Sequence, residues 1–180
     1  MDNGLIPHRY AKALYKFAME HGTAKAVYEE MKNVISSFQN NPRLAKVLAN
    51  PFVGNKEKSD LLKAAAGDKI EDSFLGFIKL ILENRREEFA LQMALAYRDI
   101  YRKANRISQV RITTAVKLPE AEMEKLRNMV SDSFKQTELE FSEFINPEII
   151  GGFIIDVDDS RMDASINNEI EQLRLALLSH

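Results

Sequence analysis

The feature that most constrains this chain is a change of hydrophobic period near Asn105. Upstream, apolar residues recur every three or four positions. Downstream, Val110, Ile112, Thr114 and Val116 alternate with Gln109, Arg111, Thr113 and Ala115. The first pattern buries one stripe of a helix and the second buries one face of a strand, so neither stretch can adopt the other's structure without exposing its apolar set. The chain is therefore read as α+β: an N-terminal six-helix bundle over residues 1–105, then a small mixed α/β domain over residues 106–180.

In the first part, Pro7 precedes Tyr10, Leu14 and Phe17 on a helix that stops at His21-Gly22. Thr23 is placed to cap a second helix striped by Val27, Met31, Val34, Ile35 and Phe38. Asn41-Pro42 opens a short third helix and Asn50-Pro51 closes it. A fourth spans Lys56 to Ala66 and ends at Gly67; a fifth spans Glu71 to Asn84; a sixth spans Arg86 to Ala104, with Phe89, Met93, Tyr97 and Ile100 on one face. Short connections of this kind favour antiparallel neighbours in a bundle.

In the second part, Pro119 opens a helix lined by Met123, Leu126, Val130 and Phe134. Leu139 and Phe141 mark a second strand, Phe153 to Val157 a third, and Met162 to Ala164 a fourth at an edge. The final helix carries Ile166, Ile170, Leu173 and Leu177 on one face. The core of this part is thin for its length, so it is expected to be the less stable one.

Little in the chain resembles catalytic apparatus. Cysteine is absent, which excludes disulfides, thiolate nucleophiles and Cys-ligated zinc. Asp156, Asp158, Asp159 and Asp163 cluster, but counting from Asp156 as a calcium loop puts Arg161 where a Gly is needed and Asn167 where a Glu is needed. The cluster reads as a solvated hairpin turn. Gly151-Gly152 lacks the Lys of a phosphate loop and reads as a turn with positive φ or a close backbone approach. Asp163 and Ser165 are placed to cap the last helix. His8, His21 and His180 are scattered; an enzyme would need a pocket joining His8 or His21 to a carboxylate. Neither a metal nor a cofactor is expected.

A formal net charge of −2 argues against a nucleic-acid binder. Arg85, Arg86, Arg98, Arg102 and Arg106 nevertheless give a basic edge beside Glu87, Glu88 and Asp99. That edge supports an alternative reading as a helical RNA- or ribosome-associated adapter. The start has no secretory or transit character. The most apolar run, Phe74 to Leu82, is far shorter than the roughly 20 residues of a membrane span. The chain is expected to be soluble and cytoplasmic, meeting a membrane only through other proteins.

That apolar run is itself unusual. Phe74-Leu75-Gly76-Phe77-Ile78-Lys79-Leu80-Ile81-Leu82 is apolar on nearly all sides, whereas a surface helix needs only one apolar stripe. Either it is the buried centre of the bundle or one face awaits a partner. The first helix has the same ambiguity, since Ala11, Ala13 and Ala18 add small, groove-forming positions to Tyr10, Leu14 and Phe17.

Three passages together resemble the delta subunit family of bacterial rotary ATP synthases, counterparts of the mitochondrial oligomycin-sensitivity-conferring protein. They are Arg9-Tyr10-Ala11-Lys12-Ala13-Leu14, Leu82-Glu83-Asn84-Arg85-Arg86, and the tail from Asn146 to Ser165 with Pro147, Ile150, Gly151, Gly152, Phe153, Asp163 and Ser165 in place. Ala164, where the family commonly has Gly, and the acidic Asp158-Asp159-Ser160 turn are departures. The resemblance covers essentially the whole chain.

It implies a stator component with no catalysis of its own, peripheral on the cytoplasmic face of the cell membrane, one copy per complex. The helical domain would grip the N-terminal segments of alpha subunits in a groove between the first and fifth helices. Carried over, the groove residues are Tyr10, Ala11, Leu14 and Phe17 with Phe74, Phe77, Ile78 and Ile81, and truncation of Phe77 or Ile81 is expected to uncouple ATP hydrolysis from proton pumping. The C-terminal domain would bind the b subunits of the peripheral stalk near Gly151, Gly152, Asp163, Ser165 and the last helix. The intact Met1 start points to a bacterial origin.

Overall fold

Pro7 falls within the first turn of α1 (Leu5–Glu20), where backbone N–H groups have no intrahelical acceptor and its missing donor costs nothing. This is seen in the computed structural model, which describes residues 5–134 and 138–178; Met1 and His180 lie outside the described residues. Gly22, at φ 69°, ends the helix, and Thr23 N–H donates back to the Ala18 carbonyl at 2.8 Å. Thr23 precedes α2 (Ala24–Asn40) but makes no side-chain cap there. Its hydroxyl instead shares a 2.8 Å hydrogen bond with the Ser73 hydroxyl, fifty residues away in sequence.

Next come α3 (Arg43–Ala49), α4 (Asn55–Ala66) and α5 (Asp72–Glu83). Two side chains of α2 close the end of α4. Asn33 Nδ2 donates to the Ala66 carbonyl at 2.8 Å and Ser37 Oγ to the Ala65 carbonyl at 3.1 Å. They satisfy acceptors that a helix end leaves open.

After α5 the chain does not enter the sixth helix directly. Arg85 adopts a left-handed φ of 52°, Arg86 N–H returns to the Ile81 carbonyl at 2.8 Å, and Glu87–Phe89 form a 3-10 turn before α6 (Ala90–Asn105). The tighter turn carries Glu87 inward. The core of this unit, Met1–Ala104, is built from the stripes of α2, α5 and α6, with Met31, Phe74, Met93 and Tyr97 among its fully buried side chains. Tyr97 satisfies its hydroxyl by donating to the Ala24 carbonyl at 3.1 Å.

The second unit, Asn105–His180, is a four-stranded sheet with two helices. Its elements are β1 (Ile107–Thr114), α7 (Glu120–Ser133), β2 (Glu138–Ile145), β3 (Gly152–Val157), β4 (Ser160–Ser165) and α8 (Ile166–Leu178). The strand order is β2-β1-β3-β4. β1 and β2 run parallel, joined by α7 as parallel neighbours require; β3 is antiparallel to β1 and to β4. Val110 pairs with Val157 and Ile112 with Ile155, and this face packs on Met123 and Val130 of α7.

β1 ends before Val116, which is 64% exposed, and Pro119 stands just ahead of α7 rather than within its first turn. None of α8 is buried; the apolar face expected for it points to solvent.

Candidate functional site

A groove of about 380 Å³ lies between α1 and α5. Tyr10, Ala13, Leu14 and Phe17 form one wall; Gly76, Phe77 and Leu80 form the other. Phe17 and Leu80 are 47% and 45% exposed, large apolar side chains left at the surface beside each other's helices. Gly76 is the telling position. A Cβ built on it would meet nothing within 4 Å, so no packing inside the bundle demands its small size. Yet glycine in a helix interior costs about 0.5–1 kcal/mol relative to alanine. The groove shares Tyr10, Ala13 and Leu80 with a wider hollow of about 670 Å³, lined also by Ile6, Arg9, Lys12, Lys16 and Arg86.

Of the residues expected to form the groove, the structure brings Tyr10, Leu14, Phe17 and Phe77 together along it. It places the other four elsewhere. Ala11, Phe74, Ile78 and Ile81 are 1–2% exposed and belong to the core. The helical period explains the division: Phe74, Ile78 and Ile81 fall on one inward stripe at i, i+4 and i+7, while Gly76 and Leu80, four apart, fall on the groove side. The run from Phe74 to Leu82 is thus both a bundle centre and an open face. Ala13, read from the sequence as a groove-forming position, does line it, whereas Gly76 and Leu80 were missed; the interruption of an apolar run by Gly76 was the signal that could have found them.

Buried polar contacts fix α5 in place. Glu30, on α2 and 4% exposed, accepts the backbone N–H of Glu71 at 2.6 Å, immediately before α5 begins. Among the described residues its Oε2 has no partner. Burial pushes this carboxyl up to about 7, with the Glu71 carboxylate adding to the rise and the Glu71 N–H opposing it. Beyond the other end of α5, Lys58 of α4 donates to Glu87 at 2.6 Å in a nearly solvent-free pair.

The four C-terminal candidates meet at the start of α8. Gly152 has φ 73°, and a Cβ there would lie 2.2 Å from the Ala164 carbonyl oxygen. A Cβ on Gly151 would lie 2.6 Å from Ile166 Cδ1. Ser165 Oγ accepts the Asn168 N–H at 3.2 Å, while Asp163 Oδ1 accepts both the N–H (3.0 Å) and the hydroxyl (2.5 Å) of Ser165. Those two bonds hold the Asp163 carboxyl below its usual range. The cluster docks and caps α8, as the sequence suggested for Asp163 and Ser165.

The acidic turn closes the β3–β4 hairpin, with Asp158 at φ 48° and its carboxylate accepting the Gln109 N–H at 3.0 Å; Asp156 pairs with Arg161 at 2.7 Å. Among the described residues no three His, Asp or Glu side chains converge as metal ligands would. A depression between α1 and α6 is lined by His8 and Asp99, but both are exposed and Asp99 is engaged by Arg98 at 3.2 Å. His21 bonds the Phe17 carbonyl at 2.8 Å. The arginines do not form one edge: Arg86 lines the hollow beside the groove, Arg85 a separate cleft with Glu87 and Glu88, and Arg102 donates to the Tyr28 hydroxyl at 2.9 Å.

Comparisons with known proteins bear on the family and the fold. The family model described as ATP synthase delta (OSCP) subunit matches residues 6–177. The ATP synthase subunit delta of Phocaeicola vulgatus is 38% identical over 172 residues, 95% of this chain and 92% of that protein. That of Desulforamulus reducens is 31% identical over 180 residues, 99% of this chain and 98% of that protein. A chain of the cryo-EM structure of the Toxoplasma gondii mitochondrial ATP synthase hexamer shares the fold, with a TM-score of 0.71 at 19% identity, covering 96% of this chain and 97% of that one.

These near-full-length matches make the chain a non-catalytic, structural subunit of a larger complex. The chain belongs to the ATP synthase delta (OSCP) subunit family. As such it is a stator subunit of the peripheral stalk, and the RNA-adapter alternative has no support. No helix among the described residues is long and apolar enough to cross a membrane.

Proposed function

We propose that the α1–α5 groove receives the N-terminal helical segment of an alpha subunit, and that the C-terminal unit holds the b subunits of the peripheral stalk. One copy per complex, on the cytoplasmic face of the membrane, would then keep the catalytic head from turning with the rotor. The observation that carries the reading is the apolar groove walled by Phe17 and Leu80 and left open at Gly76, where a helix can approach the backbone of α5. On α8, Ile170, Leu173 and Leu177 are 51%, 65% and 79% exposed, a row of apolar side chains of the kind that marks a contact surface.

The mechanics follow from the load. A tether under torque depends on slow dissociation more than on fast encounter. Each large apolar side chain buried in the groove contributes roughly 1.5–3 kcal/mol before ordering costs. Two units holding two parts of one complex raise retention further through effective concentration.

The test is calorimetric titration of the full chain with a synthetic peptide of the cognate alpha subunit's N-terminus, with Leu80→Asp as the control. Binding that Leu80→Asp abolishes, with its circular dichroism unchanged, is the expected result. A folded wild-type chain that leaves the peptide free overturns the assignment.

A further inference from the structure

The hollow that continues the groove is lined by Ile6, Tyr10, Ala13 and Leu80 together with four cations. Arg9, Lys12 and Lys16 follow one another along α1, and Arg86 joins them from beyond the end of α5. Among the described residues no carboxylate lines it. None of the four makes a side-chain ion pair among the described residues, whereas Lys32, Lys63 and Lys79 each pair with an acid on their own helix. Four cations without an acidic partner among the described residues, in a hollow that shares residues with an apolar groove, are a local excess in a chain of net charge −2. Such an arrangement raises the local concentration of an acidic partner and penalises a basic one.

We infer that the groove selects its occupant by charge as well as by apolar fit: it takes an amphipathic helix bearing a row of Asp or Glu alongside its apolar stripe. This rests on the reading that an alpha-subunit segment fills the groove, and it specifies the chemistry of that segment. Arg9 and Lys16 are seven residues apart, about 10 Å along a helix, so carboxylates at i, i+3 or i+4, and i+7 of the occupant match them. The apolar contacts hold the segment while the charges fix its register along α1 and speed its arrival. An anionic bilayer would use the same cations, but a groove walled by two helices suits a helix better than a flat surface.

The experiment extends the peptide titration on the full chain to two salt concentrations, the charge-reversed variant Lys12→Glu/Lys16→Glu, and a second peptide with its acidic residues replaced by Lys. Lys12 and Lys16 are exposed, so the variant keeps its fold. Wild-type affinity is expected to fall several-fold as salt rises, and the variant to bind on the order of tenfold more weakly. The swapped peptide is expected to prefer the variant. Wild-type binding that ignores salt and survives charge reversal overturns the inference and leaves the groove reading standing. Absence of any binding to wild type overturns the groove reading first. Phosphatidylglycerol vesicles bound by wild type and lost in the variant, with peptide binding unchanged, assign the cations to lipid and also overturn it.

Discussion

The Glu30 carboxylate accepts the backbone N–H of Glu71 at 2.6 Å, so a side chain of α2 holds the residue from which α5 springs. The arrangement has a pH signature. Folding moves this carboxyl from an ordinary 4.5 to about 7 because burial disfavours its charge. Between those values the native protein binds more protons than the unfolded chain. The stabilisation from this group is therefore full below the lower value, declines as pH rises toward the upper one, and is gone above it. Glu30→Gln keeps an acceptor for the Glu71 N–H and removes the charge. It should match the wild type at about pH 4 and exceed it at about pH 8 by about 1–3 kcal/mol, read from denaturant midpoints at both pH values. A variant with an unchanged pH slope would assign that slope to other groups.

The Lys58–Glu87 pair should behave as a buried ion pair does when one member is lost. Lys58→Met leaves the Glu87 carboxylate uncompensated at a site 9% exposed, and should destabilise the chain by about 3–5 kcal/mol. Lys58→Met/Glu87→Leu should regain most of that. A double-mutant cycle by chemical denaturation measures the coupling.

Gly76 should set stability against binding. Gly76→Ala should stabilise α5 by about 0.5–1 kcal/mol, since its new methyl meets nothing. Gly76→Leu should keep the fold and obstruct the groove, so that the melting temperature holds while the alpha-subunit peptide no longer binds.

Coupling should depend on the groove wall rather than on the core stripe behind it. Leu80→Asp, at a position already 45% exposed, should leave the chain folded and let ATP hydrolysis proceed without proton pumping in the assembled enzyme. Ile81→Ser cannot report on the interface. That side chain is 1% exposed, and its loss should cost about 2–5 kcal/mol of stability.

Gly152→Ala should disturb the second unit locally. The added Cβ would overlap the Ala164 carbonyl, and the backbone already has a positive φ, so a penalty on the order of 2 kcal/mol or more is expected. Amide exchange across β3 and β4 should accelerate, while that of α2 and α6 should not.

The periodicities that separated helices from strands lie in the residues themselves, which is why helices before Asn105 and strands after it could be read directly, whereas the strand order could not. Orientation was harder. Phe77 and Ile81 are both apolar and one turn apart, and only packing decides that the first reaches the groove and the second the core. Gly76 showed in the sequence as an interruption, but its meaning came from the empty space beside it. Thr23 had the chemistry of a cap and the position of one, and still bonded to Ser73, because a contact fifty residues away competes with the local one. Asp163 and Ser165 formed the cap suggested for them, since that network needs only neighbours in sequence.

The exposure of α8 has a thermodynamic corollary. A helix of 13 residues with no buried side chain is tied down mainly at its first turn, by Ser165, Asp163 and the Gly151 carbonyl that accepts the Ile166 N–H at 3.1 Å. Isolated helices of that length are marginal in water. Its distal turns should then exchange their amide hydrogens quickly in the free chain and slow sharply once its apolar row is covered. Part of the energy of such a contact would go into stiffening the helix, so an affinity measured at this end would understate how firmly the covered helix resists being peeled away.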